Sequence, residues 1–158
     1  MSEINNQILD LIPHRPPMLL INRVLELGGS HSLAEVNVND NASFFIKGKG
    51  VPAWIGIEYM GQTAALIAGY QQQRGLVGPH LGFLLGTRRY TCQTAWFEPN
   101  SILRVACNEI AVVGDSLANF NCVIKTGAED GGEERILAEA RLSVLRKKLE
   151  DNFYASTH

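Results

Sequence analysis

An α+β domain, with an antiparallel sheet wrapped around one long helix, is the fold class this sequence predicts. Three observations carry the expectation. A single stretch, Ala53 to Gln73, is long, apolar and nearly free of charge. Two strand-like runs precede it and four follow it, with no second long helical pattern among them. The chain has 158 residues, 46% of them hydrophobic and 19% charged, which suits one domain with a real core. A chain of this size buries roughly 68–70% of the surface it exposes when unfolded. We therefore expect a single domain over residues 1–158, with its core between about 11 and 146.

Taken in order, the elements begin with a short amphipathic helix carrying Ile4, Ile8, Leu9 and Ile12 on one face. Pro13, Pro16 and Pro17 end it and impose an extended stretch. Met18 to Leu27 reads as a buried strand, and Gly28-Gly29 turns the chain into a second, Ser32 to Val38. Residues 37–50 form a polar loop. Pro52 suits the first turn of the long helix, where its missing N–H is no loss. Strands are then expected at Leu81–Gln93, Ile102–Val113, Ser116–Thr126 and Arg135–Arg146. Turn signals at Pro99-Asn100, Gly114-Asp115 and Asp130-Gly131-Gly132 separate them.

Composition excludes several classes of function. Net charge is −2 and no basic stripe exists, which argues against a nucleic-acid partner. The amino terminus lacks a basic region followed by an apolar core, so no signal peptide is read. The most apolar window, Val51 to Tyr70, contains Pro52, Glu58, Gln62 and Thr63 and is no membrane span. Cys92, Cys107 and Cys122 form no Cys-x-x-Cys pair and read as buried thiols of a cytoplasmic protein. His14, His31, His80 and His158 are scattered, so neither a metal site nor a cofactor is expected. Gly48-x-Gly50 lacks the third glycine and the preceding strand of a dinucleotide motif.

The long helix holds one anomaly. Between Lys49 and Arg74 the only charged side chain is Glu58. A helix apolar all round is a buried one, and a buried carboxylate is costly unless paired. Helical spacing aligns Trp54, Glu58 and Gln62 near the helix amino terminus, where backbone N–H groups favour developing negative charge. Glu58 is then either a structural acceptor or a general acid or base.

The run Pro52-Ala53-Trp54-Ile55-Gly56-Ile57-Glu58-Tyr59-Met60-Gly61-Gln62 closely resembles the central-helix motif of bacterial 3-hydroxyacyl-acyl-carrier-protein dehydratases. The segment from Leu11 to Val24, with its Pro13-His14-Arg15-Pro16 core, resembles the amino-terminal signature of the same family. Two matches in the right order are specific, and the resemblance covers about Leu11 to Leu145. Leu81 to Tyr90 looks typical of the dehydratase-like proteins of aryl polyene biosynthesis. The resemblance implies the hotdog fold, a thioester substrate carried on acyl-carrier-protein or CoA, and a dimer whose sites are shared between subunits.

It also implies residue roles. Dehydration removes the proton beside a thioester carbonyl and expels the 3-hydroxyl. By the resemblance Glu58 is the helix carboxylate, the Ala53 N–H the donor for the thioester oxygen, and Gln62 a site-lining residue. The family's loop His has no counterpart, because Ile46 to Val51 replaces the stretch that carries it. The family's first-strand Asp is replaced by Asn22. His14 is the remaining candidate base within the chain. Trp54, Lys47, Lys49 and Arg88 are candidate substrate contacts, the cations for a phosphopantetheine arm or an acidic carrier. The absent His leaves three readings open: a dehydratase, a half-catalytic or non-catalytic partner of a His-containing hotdog dehydratase (in a heterodimer rather than a homodimer), and a hotdog thioesterase.

Overall fold

The computed structural model describes residues 6–78, 80–114, 116–126 and 133–148. Helix α1, Asn6–Leu11, buries Ile8, and Ile12 just past its end is buried on the same face, as the periodicity predicts. It lies so close to the second helix, α2 (Gly56–Gln73), that a Cβ on Gly69 would stand 2.0 Å from the Leu11 carbonyl oxygen. Strands β1 (Arg23–Leu27) and β2 (His31–Val38) precede α2, with the two-residue β3 (Val51–Pro52) at its threshold. After it come β4 (His80–Cys92), β5 (Trp96–Phe97), β6 (Ser101–Val113), β7 (Leu117–Thr126) and β8 (Ile136–Lys148). Six strands form one antiparallel sheet in the order β1-β2-β6-β7-β8-β4, so β4 crosses to the edge opposite β1.

The sheet buries alternate residues against α2. Ala34, Val36, Val38, Leu103, Val105, Phe120 and Ile124 meet Tyr59, Met60, Leu66 and Ile67 in one core. Ser32 Oγ donates to the Thr63 carbonyl at 2.7 Å, which fixes β2 on the helix without an unpaired buried hydroxyl. Cys107 and Cys122 are buried opposite one another on β6 and β7, where burial pushes the Cys107 thiol pKa up; Cys92 is half-buried. Among the described residues no helix is long and apolar enough to cross a membrane.

One expectation is corrected here. The strand expected over Met18–Leu27 begins only at Arg23, because the Met18 carbonyl and the Leu20 N–H bond to the side chain of Gln62 instead of to a neighbouring strand. The long helix expected over roughly Ala53 to Gln73 is present, its first turn, Ala53–Ile55, being 3₁₀ before α2 begins. The β3–β5 pair is an addition that two-residue strands do not announce in a sequence. The turn expected at Asp130-Gly131-Gly132 lies outside the described residues.

Candidate functional site

Glu58 stands in the first turn of α2 on a stripe with Gly61, Ala65, Ala68 and Gln72, spaced three or four residues apart. These side chains, none larger than a methyl between Glu58 and Gln72, form one wall of a groove of about 290 Å³. Phe120, Val144 and Arg146 belong to the opposite wall. At 1.5 Å per residue the stripe runs roughly 20 Å. The helix is therefore not buried all round, and neither is its carboxylate. The Glu58 side chain is 42% exposed, which corrects the expectation of full burial.

Two polar groups meet that carboxylate. Gln62, fully buried one turn on, donates through Nε2 to Glu58 Oε1 at 3.2 Å and to the Met18 carbonyl at 2.7 Å. Its Oε1 accepts the Leu20 N–H at 2.8 Å, so one amide ties the chain before β1 to the carboxylate. From that same chain segment His14 brings Nε2 to 3.9 Å from Glu58 Oε1. Burial lowers the His14 pKa below its ordinary value, and the nearby Glu58 charge offsets only part of this. Burial thus favours the neutral imidazole of His14. Arg15 holds the turn that presents it, donating to the carbonyls of Leu9, Ile12 and His14, each at 2.8 Å.

The Ala53 N–H is not the free donor that the resemblance implies. It donates to the Ala95 carbonyl at 3.0 Å. The reason lies in the β3–β5 pairing: Pro52 faces Trp96 but has no N–H, so the next donor along, Ala53, continues the ladder. The Ala53 carbonyl in turn accepts the Tyr90 hydroxyl at 2.5 Å. That approach requires Gly56, where a Cβ would lie 2.3 Å from the Tyr90 oxygen.

The other candidates lie apart. Trp54 is 65% exposed in the 3₁₀ turn, edge-on to Phe44 at 6.3 Å, and does not line the groove with Glu58. Lys47 is exposed on the loop before β3, and Lys49 rests its ammonium 5.3 Å above the Trp96 ring. Arg88 pairs with Arg141 between β4 and β8, but its side chain lies outside the described residues, as does that of His80. Sequence reasoning assigned no role to Arg15 or Tyr90. Both sit inside the quoted family-like segments, so the signal was present without the contact that explains it.

A single family model spans this architecture: residues 6–155 match that of the ApeP-like proteins, described as ApeP dehydratase. The chain belongs to the ApeP-like dehydratase family. Among curated relatives it is similar to a 3-hydroxyacyl-[acyl-carrier-protein] dehydratase FabZ of Polaromonas naphthalenivorans, 44% identical over 68 residues. That match takes in 40% of this chain and 47% of the relative, so the chain spans about half the length of the curated relatives it matches. Among solved structures, a chain of the dehydratase heterocomplex ApeI:P from Xenorhabdus doucetiae superposes with a TM-score of 0.75. Its identity is 22%, over 95% of each chain. A thioesterase family protein from Silicibacter pomeroyi follows the same path with a TM-score of 0.66 and 12% identity, over 91% of this chain and 98% of that one. The fold is the hotdog fold, as expected.

Proposed function

We propose that this chain dehydrates 3-hydroxyacyl thioesters, delivered on acyl-carrier-protein or CoA, in a pathway of the fatty-acid or aryl polyene type. The observation that carries this reading is the approach of His14 and Glu58 at one end of an apolar groove. A neutral imidazole is fit to take the proton from the carbon beside the thioester carbonyl. A carboxyl group beside it is fit to hand a proton to the departing 3-hydroxyl, so that enoyl thioester and water leave. Gln62 fixes the carboxylate oxygen nearest His14, and the groove along α2 has the length and polarity for an acyl chain.

A second reading shares the site with a partner. It is favoured by the exposure of Glu58 and by the occupied Ala53 N–H, which leave room and need for groups from outside the chain. A His-bearing hotdog dehydratase would place its loop His opposite Glu58. The relation of this fold to a dehydratase heterocomplex supports such pairing. Turnover of a 3-hydroxyacyl carrier thioester, measured with the chain alone and across mixing ratios with such a partner, separates the two. Activity of the pure chain that a partner does not raise supports His14 as the base. A maximum near equal amounts, lost with Glu58→Gln in this chain, supports the shared site. No turnover in either arm rejects the dehydratase.

A further inference from the structure

On the outer face of the sheet, away from α2, strands β4, β7 and β8 form another cavity, of about 540 Å³. Alternation turns Cys122, Ala140 and Leu142 inward, so Asn121, Glu139 and Arg141 face this bowl, together with Arg89 and Thr91 of β4. Two features at this place cost the fold stability. The register sets Arg141 opposite Arg88, and like charges directly opposite one another destabilise a sheet. Arg89 stands in the β-bulge between Arg88 and Thr91 with φ at 56°, a left-handed conformation that strains a side chain with a Cβ. The bulge sends Tyr90 inward to hold the Ala53 carbonyl and leaves Arg89 in the bowl. Among the described residues neither Arg89 nor Arg141 has an ion-pair partner, whereas Arg104 and Arg146 each hold a glutamate. Unpaired charge and backbone strain meet in one concave place, which marks it as a site for an anion.

We propose that this bowl binds the phosphate group of a small, hydroxylated phosphate ester, gripped by the guanidinium groups of Arg89 and Arg141 with the Asn121 amide as a further donor. Two planar forks and an amide offer more donors than the two oxygens of a carboxylate take up, and they suit the three terminal oxygens of a phosphate. Glu139 repels a bare anion, so its place in the bowl is for a hydroxyl of the esterified part, with Thr91 beside it. Concavity favours a small ligand over the face of another protein. The sheet separates this site from the groove that holds Glu58, so the proposal does not depend on the thioester reading.

Glycerol phosphate and inorganic phosphate are the probes, titrated into the full chain. Binding is read by the side-chain amide resonances of Asn121 and by calorimetry, neither of which needs turnover. Glycerol phosphate is expected to shift the Asn121 signals and to bind more tightly than inorganic phosphate, with affinity falling as salt rises. Arg141→Gln should weaken it roughly 10- to 100-fold, the worth of hydrogen bonds to a charged group. Arg89→Gly should weaken it as much while the melting temperature holds or rises, because glycine takes a positive φ without strain. Unmoved Asn121 signals, or unchanged affinity in both variants, overturn the proposal whether or not the chain dehydrates anything. A response to pantetheine phosphate alone also overturns it, because the bowl then belongs to the arm of the thioester substrate. So does a response to an acidic carrier protein alone, which makes the bowl a docking face.

Discussion

At Glu58 a single carboxylate faces a groove, touching one amide and one imidazole, and its chemistry can be removed without removing its shape. In Glu58→Gln the new amide oxygen still accepts the Gln62 N–H, so the melting temperature is expected to hold. Turnover should fall by roughly 10²–10⁴, the usual worth of general acid–base help. A lower melting temperature with intact turnover would make Glu58 structural. His14 predicts a pH dependence whose sign follows from its lowered pKa. The unfolded chain takes up this proton at about pH 6.5, before the folded chain does, so stability is fully present above that pH and declines below it. If His14 is the base, activity declines with it on the acid side. His14→Gln should flatten that part of the stability profile, which thermal melts across pH will show.

At the scale of elements, the clamp between α2 and the chain before β1 decides whether the site exists. Gln62→Leu would fit the core in size but leave the Leu20 N–H and the Met18 carbonyl without their partner. The expected cost is about 1–3 kcal/mol for a group so stranded, read as a lower melting temperature and faster exchange at Leu20. Activity should fall further than stability alone explains, because Glu58 loses the donor that orients it. Here the sequence was partly legible. The periodicity of α2 and the apolar alternation of β6 and β7 are local signals, and they located those elements. The truncation of β1 and the β3–β5 pair depend on which partners the backbone finds, and no local pattern encodes that.

For the whole molecule, the surface before β3 bears on how substrate arrives. If Lys47 and Lys49 guide an acidic carrier, Lys47→Ala should raise KM and reduce its dependence on salt. Lys49→Ala should do so less, because its ammonium already lies over Trp96. Kinetics that match the parent chain at low and high salt would leave both as solvated lysines. Strand β4 is an edge of the sheet and Glu58 is exposed along the α2 groove, and the mixing experiment tests whether a partner subunit covers that carboxylate.

The sequence by itself determined the α+β class, the single long helix, the order of the strands along the chain and Glu58 as the one charge in that helix. Each of these is written in spacing and composition within a short window. Only the tertiary structure decided what those residues meet. It brought His14 beside Glu58, exposed the carboxylate along a groove, closed the Ala53 N–H onto Ala95 and set Tyr90 under the helix threshold. These are contacts between segments far apart in the chain. They form because burying α2 against the sheet compensates the entropy of closing the loops between them, and no periodicity records such a balance.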